Sequence, residues 1–201
     1  MNAVERESIT GLITDYMKIA GDLVSGMSST FTKLDVTNVK VLSLAELQMV
    51  FDERNKLSSS RLTATNQSFM GDLNGESTLL VDEHSALSLY SHFNDSYIED
   101  QSKYNVLDIL SELNNLISAG CTRYLADLFK LNIEFSRPHL DFLTTTRLDF
   151  NRQHLSEGSR VILINVELDF KEDLIWGTWY LWLESSSYSI LRRALSLFGK
   201  E

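Results

Sequence analysis

The chain has 201 residues and a formal net charge of −10. Hydrophobic residues make up 43% of it and charged residues 23%, which is typical of a globular protein with a substantial core. The acidic balance argues against nucleic-acid binding and against adsorption to anionic membranes. No apolar run is long enough for membrane insertion, and the single cysteine, Cys121, excludes an internal disulfide and fits a reducing compartment. We therefore expect a cytoplasmic protein whose partner is a protein or a small molecule.

The first half of the sequence predicts a helix, a strand, a short helix, two strands and a closing helix. The first helix, over about 4–31, has apolar residues at three- and four-residue steps, namely Ile9, Ile13, Tyr16, Ala20, Leu23 and Met27. KLDVTNVKVLSL then predicts a strand, and a short helix follows near 44–51. Strands near 62–69 and 76–81 are joined by the turn DLNG, and Asp82 caps the closing helix.

The second half repeats this order. A long helix over about 106–130 precedes KLNIEFSRPHLDF, which is similar to KLDVTNVKVLSL in its opening and length, then the strands SRVILINVELDF and LIWGTWYLWLE and the helix SSSYSILRRALSLF. Aligning Gly75 with Gly177 also aligns Asp82 with Glu184. We predict one α+β domain over 1–201, made of tandem α-β-β-β-α repeats (1–94 and 104–201, joined by the polar stretch 94–103) with pseudo-two-fold symmetry. Because neither repeat can bury its sheet face alone, both should share one mostly antiparallel sheet covered by long helices.

Asp108, Glu112 and Asn115 form a polar stripe on the second long helix. The predicted buried face of this helix comprises Val106, Leu110, Leu113, Ile117, Cys121 and Leu128. At roughly 100° per residue, Glu112 points about 200° away from Leu110, and the other two stripe residues share its face. Spacing alone is what any surface helix shows, and the slight repulsion of two carboxylates four residues apart is a weak argument for another role.

The stripe resembles the Asp/Ser-x3-Glu-x2-Asn signature of the CheC/CheX/FliY family of chemotaxis phosphatases. That family expects a proline just over twenty residues later, and the only proline of the chain, Pro138, stands there in the predicted strand. CheC-type proteins are also built from two α-β-β-β-α halves, so the resemblance covers nearly the whole chain. It implies a CheC-like fold and a hydrolase of two-component signalling, which removes the phosphoryl group from the aspartate of a CheY-type response regulator.

The resemblance also implies roles for the stripe. Asn115 would orient the attacking water, since a carboxamide both donates to and accepts from water without adding negative charge near a phosphate. Glu112 would bind a lysine of the receiver beside the phosphate, and Asp108 would belong to the same receiver-binding surface. Mg²⁺ would be carried by the receiver, so that this chain needs no metal ligands of its own. A CheD-type deamidase is a second partner that the family allows.

The first helix lacks the signature. Matching the Lys-Leu pairs that open the two strands aligns the stripe with Gly11, Asp15 and Lys18, and Pro138 with Val41. Lysine has no hydrogen-bond acceptor with which to hold a water, and an i, i+3 ion pair is the simpler interpretation of this aspartate and lysine. We therefore predict one active site per chain, in the second repeat, and a degenerate motif in the first.

The leading alternative is a non-catalytic member of the same superfamily, which binds a receiver or the flagellar switch as the FliM middle domain does. A third class, a small-molecule sensor, would use the tryptophans of one strand, Trp176, Trp179 and Trp182, but we predict that these pack in the core. The intact pair of Glu112 and Asn115 favours the enzyme over both alternatives.

Other reactive side chains give no second candidate site. The four histidines, His84, His92, His139 and His154, are scattered without an i, i+4 pair or partner cysteines, so we predict surface or strand positions and no metal site. Cys121 falls on the apolar side of its helix and is predicted to pack rather than to act as a nucleophile. Nucleotide-binding loops and the Gly-x-Ser-x-Gly elbow do not occur in the sequence.

Overall fold

The computed structural model describes residues 1–28, 32–57, 62–94, 106–143, 158–170 and 173–198. Its helices are α1 (Ala3–Ser28), α2 (Leu44–Leu57), α3 (Glu83–Asn94), α4 (Val106–Asn114), α5 (Gly120–Leu128) and α6 (Ser185–Phe198), with a π-helical turn (Asn115–Ala119) joining α4 to α5. Its strands are β1 (Lys33–Leu42), β2 (Leu62–Gly71), β3 (Gly75–Asp82), β4 (Ile133–Phe135), β5 (His139–Leu143), β6 (Arg160–Asp169) and β7 (Leu174–Leu183). The predicted α+β class and order of elements are confirmed.

The two halves interleave in one antiparallel sheet. Its order is β1-β6-β7-β3-β2, and both β4 and β5 pair with the outer side of β2. Each half therefore sends its first strand across to the other half, while β3 and β7 meet at the centre with Val81 opposite Gly177. Exchanging the halves reproduces the same order, which is the predicted pseudo-two-fold symmetry.

Helices cover the two faces of the sheet unequally. The long helices α1 and α4–α5, with α3 and α6, pack on one face over a core that includes Ile13, Met17, Ile117 and Trp179. On the other face, α2 packs Leu47 and Phe51 against β7, where the Phe51 and Tyr180 rings stack 5.5 Å apart. Within the described residues, no helix is both long and apolar enough to cross a membrane.

Predictions about individual residues of the helices are partly confirmed and partly wrong. Asp82 caps α3 as predicted, because its Oδ1 accepts a hydrogen bond of 2.7 Å from the Ser85 N–H. Leu23, one of the periodic apolar residues of the first helix, is exposed, since Val24 takes the inward position on α1. Leu128 was predicted on the buried face of the second long helix and is 38% exposed. The side chain of Val106 and the joint over 95–105 lie outside the described residues.

The segment KLNIEFSRPHLDF forms two short strands instead of the single predicted strand. Three residues, 136–138, lie opposite only Gln67 and Ser68 of β2, so the segment contains a bulge between β4 and β5. Pro138 lies in this bulge and not within a strand, because proline has no N–H for a sheet hydrogen bond. An extra residue, Thr37, interrupts β1 in the same way, so the irregularity occurs in both halves.

Candidate functional site

The predicted stripe lies on the outer surface of α4. Asp108 and Glu112 are exposed, whereas Ile109, Leu110 and Leu113 beneath them are 1–2% exposed. Asp108 and Glu112 are four residues apart, which is close to one helical turn, so the two carboxylates lie along one line of α4. The predicted orientation of Glu112, away from the core, is confirmed.

Asn115 stands where the helix changes geometry. It is the first residue of the π-helical turn, and its carbonyl accepts the N–H of Gly120, five residues later. Its side chain is half-buried rather than fully exposed. Within the described residues, neither its carboxamide nor the Glu112 carboxylate has a hydrogen-bond partner in the chain. Both groups are therefore available to an external partner.

The π-helical turn was missed by the sequence prediction of one continuous α-helix, although the sequence carries a signal for it. Apolar residues recur at four-residue steps, at Ile109, Leu113, Ile117, Cys121 and Leu125. In a straight α-helix each such step drifts by about 40°, or about 160° over the run. A π-helical turn accommodates one extra residue and turns the following face back by about 100°. The face so restored places Leu128 at its edge, which is why Leu128 is exposed.

A buried chain of amides joins α4 to the sheet beneath the stripe. The Asn114 side chain is fully buried, and its Nδ2 donates to Gln67 Oε1 on β2 at 3.1 Å. Gln67 Nε2 in turn donates to the carbonyl of Ser136 at 2.9 Å, in the bulge that contains Pro138. This contact was not predicted from the sequence, although Asn114 lies four residues after Leu110 and so falls on the buried face. The signature helix and the proline segment are thereby held together through β2.

The first repeat has no equivalent of the signature on α1. Asp15 and Lys18 form the predicted i, i+3 ion pair on the exposed surface, with Nζ and Oδ1 2.8 Å apart. Helix α1 contains no asparagine, so no alignment of the two helices places a Glu-x2-Asn pair there. The absence of the signature from α1 therefore follows from its sequence, however the two long helices are aligned.

The strand registers correct one detail of the alignment. Gly75 pairs with Phe69, which pairs with Phe135, whereas Gly177 pairs with Val166, which pairs with Val36. If Gly75 corresponds to Gly177, then Val36 corresponds to Phe135. Counting on from this pair places Val39 opposite Pro138, so the predicted match with Val41 is wrong by two residues.

The two long helices meet at the π-helical turn. Tyr16 of α1 donates its hydroxyl hydrogen to the carbonyl oxygen of Leu116 at 2.7 Å, and its ring lies 5.5 Å from that of Tyr124 on α5. Burial, with a smaller contribution from Cys121, raises the pKa of Tyr16 to about 12, so the phenol stays protonated and donates at neutral pH.

The cysteine and two of the three tryptophans pack in the core, as predicted. Cys121 is fully buried, and burial raises the pKa of its thiol far above the ordinary value, which suits a packing role. Trp179 and Trp182 are buried as predicted, and they donate to Ser77 and Thr78 at 2.8 and 3.1 Å.

Trp176 departs from the predicted packing, because it is 51% exposed. Trp176 precedes Gly177, the residue at which the pairing of β7 with β3 ends. Helix α2 packs against the opposite end of β7, around Tyr180 and Trp182, and so does not cover Trp176.

The described histidines lie on two different elements. His84 and His92 are on α3, and His139 begins β5, while His154 is outside the described residues. Among the residues that the structure describes, no group of three or more His, Cys, Asp or Glu side chains is arranged to hold a metal ion. The expectation that the receiver supplies Mg²⁺ stays a prediction.

The chain matches known proteins through its structure. No protein-family model and no curated protein matches it by sequence. Thermotoga maritima FliY superimposes with a TM-score of 0.73 at 13% identity, covering 100% of this chain and 98% of the solved FliY chain. The Helicobacter pylori FliM middle domain gives 0.66 at 9% identity (96% and 99% covered), and Desulfovibrio desulfuricans CheX gives 0.55 at 14% identity (87% and 99% covered).

The chain has the fold of CheX, FliY and the FliM middle domain. The predicted likeness to the CheC/CheX/FliY family is thereby confirmed at the level of the fold. Because the same CheX-like fold occurs in proteins with different names and partners, the activity of this chain has to be argued from its site. Within that fold, the exposed Glu112 and the half-buried Asn115 are the candidate functional side chains.

Proposed function

We propose that this chain is a phosphatase that hydrolyses the aspartyl phosphate of a CheY-type receiver. One observation carries the proposal. Glu112 and Asn115 lie three residues apart on the outer surface of the CheX-like fold, at the spacing of the phosphatase signature, with no partner among the described residues. A surface helix with this pair can enter the active-site cleft of another protein without first breaking an internal contact.

The chemistry matches the residue types. A water attacks the phosphorus in line with the bond to the aspartate oxygen; that bond breaks, the receiver regains its carboxylate and inorganic phosphate leaves. The Asn115 carboxamide would accept a hydrogen bond from the water and so hold it in line, which removes part of the entropic barrier. The receiver would supply Mg²⁺, which neutralises charge on the phosphoryl oxygens.

Glu112 and Asp108 would dock the receiver. A carboxylate on an exposed helix can pair with the ammonium of a receiver lysine, and such a contact orients the complex and speeds association. Asp108 lies one turn before Glu112 on the same line, so it would extend the acidic surface that meets the receiver. The net charge of −10 favours a partner with a basic rim around its active site.

A second candidate function is a non-catalytic docking module of the flagellar switch. The observation in its favour is that the FliM middle domain superimposes better than CheX, with TM-scores of 0.66 and 0.55. A FliM of this fold has also been solved in complex with FliG. On this alternative the chain would bind a receiver or a switch protein without accelerating phosphate release.

Phosphate release from a panel of phosphorylated receivers, with and without this protein, tests the proposal. Acceleration with at least one receiver is expected, and Asn115→Ala should lower kcat by about a hundredfold while receiver binding persists. Gln48→Ala is the matched control, because it removes a half-buried amide of α2, which packs on the opposite side of the sheet, and it should keep full activity. Retention of more than about a tenth of the wild-type rate by Asn115→Ala would contradict the role of Asn115. Binding without acceleration would favour the docking module.

A further inference from the structure

We propose that Tyr16 of the degenerate repeat is a positioning residue for Asn115 in the other repeat. The inference rests on the proposed function, since it assigns Tyr16 to the same site. The relevant contact is the hydrogen bond of 2.7 Å from the Tyr16 hydroxyl to the Leu116 carbonyl, inside the π-helical turn that begins at Asn115.

The π-helical turn deprives the Leu116 carbonyl of the Gly120 N–H that it would accept in an α-helix. In an α-helix the Leu116 carbonyl would accept the N–H of residue 120. Here the N–H of Gly120 donates to the carbonyls of Asn115 and Ile117 instead. The Tyr16 hydroxyl reaches the carbonyl that the Gly120 N–H has left, and this hydrogen bond offsets part of the cost of the irregular turn.

The surroundings fit this role closely. Tyr16 is 8% exposed, so its hydroxyl is held within the packed interface of the two long helices. Gly120 has no side chain, and a Cβ there would collide with the Tyr16 hydroxyl. The absence of a side chain at Gly120 in the second repeat therefore leaves room for the Tyr16 hydroxyl of the first.

Asn115 lies between two anchors. On one side, Asn114 is fixed to β2 through Gln67. On the other side, the carbonyl of Asn115 accepts from Gly120 within the turn that Tyr16 supports. Loss of the tyrosine hydroxyl should leave Asn115 attached on one side only, and its carboxamide would sample more orientations. A group that acts by holding water in line is sensitive to shifts of about 1 Å.

The kinetic test compares Tyr16→Phe with Tyr124→Phe, using a receiver that the wild-type protein dephosphorylates. Tyr124 is the matched control, because its ring lies against that of Tyr16 and its substitution also removes one phenolic hydroxyl. Tyr16→Phe should lower kcat by about five- to tenfold with KM within about twofold of wild type, and Tyr124→Phe should change neither. A kcat for Tyr16→Phe within about twofold of wild type would overturn the proposal even if the melting temperature falls, because a merely structural contact would leave the folded enzyme fully active.

A second measurement needs no activity and separates this inference from the proposed function. In nuclear magnetic resonance spectra, Tyr16→Phe should shift the side-chain amide resonances of Asn115 and speed hydrogen exchange at the Gly120 N–H by about tenfold or more. Tyr124→Phe should leave both unchanged. If no receiver is a substrate but these signals change as expected, the proposed function fails and the positioning of Asn115 by Tyr16 stands. Unchanged signals in Tyr16→Phe would overturn the positioning role whatever the activity.

Discussion

Tyr16 occupies the space that a side chain on Gly120 would need. A Cβ built on Gly120 would clash with the Tyr16 hydroxyl and lie 2.9 Å from its Cζ, whereas a Cβ on Gly11 would meet no atom within 4 Å. The two glycines lie in the two long helices, yet only one is required by its surroundings. Helix α1 and the start of α5 thus approach each other closely at Gly120.

Gly120→Ala should destabilise the protein by about 2–3 kcal/mol, because the new methyl group forces the tyrosine or the turn to move. Gly11→Ala is the control, and it should stabilise the protein by up to about 1 kcal/mol through its better helix propensity. Chemical denaturation of both variants measures these changes. The double variant Gly120→Ala with Tyr16→Phe should lose less than the sum of the single losses, and strict additivity would show that the two residues do not compete for space.

Glu112→Ala should raise the KM for the phosphorylated receiver more than it lowers kcat. The expected cause is the loss of a charge contact with a receiver lysine, so the difference from wild type should shrink as salt is added. Asp127→Ala is a suitable control, because Asp127 is an exposed carboxylate further along the same helical run. An unchanged KM across the salt series would contradict the docking role of Glu112.

Asp15→Ala and Lys18→Ala should each leave turnover within about twofold of wild type and cost under about 1 kcal/mol of stability. Their ion pair is 63–70% exposed, and Lys18 offers a water no acceptor. The double change Asp15→Glu with Lys18→Asn should bring little or no gain, since the surface around it need not fit a receiver. Phosphate release for these variants is measured beside Asn115→Ala. A large loss from either alanine variant, with Asn115→Ala still active, would place the working site in the first repeat.

Glu5 should make stability depend on acidic pH. Its carboxylate is 4% exposed and accepts from Arg192 at 2.9 and 3.0 Å, and chiefly this contact lowers its pKa from 4.5 to about 2. A lowered pKa in the folded state stabilises the protein above pH 4.5, and this contribution is lost as the pH falls towards about 2.

Glu5→Gln tests this contribution. The variant should be less stable than wild type by about 2 kcal/mol at neutral pH, and the difference should narrow steadily as the pH falls below the ordinary pKa of a glutamate. Glu7→Gln, at an exposed position of α1, is the control and should follow wild type throughout. Thermal melting across the acidic range measures both variants. A difference that stays constant with pH would show that the ionised form of Glu5 is not what stabilises the helix contact.

The sequence by itself determined the order of elements, the tandem repeat and the outward orientation of Glu112. These features depend on local rules, because the period of apolar residues distinguishes helix from strand and a repeated pattern predicts a repeated unit. The position of Asp82 as a helix cap and the burial of Cys121 follow from the same rules. The absence of asparagine from α1 is likewise visible in the sequence alone, and it restricts the signature to the second repeat.

Only the tertiary structure decided how the halves share their strands and how Asn115 is held. The exchange of β1 and of β4–β5 between the halves depends on hydrogen bonds between segments that are distant in the chain, and so does the two-residue correction that aligns Val39 with Pro138. The contact of Tyr16 with Leu116 also joins distant segments. No local pattern encodes such contacts, because they form when both sheet faces and both long helices pack at once. That packing turns a row of polar residues on α4 into a candidate site supported from beneath by Gln67 and from the side by Tyr16.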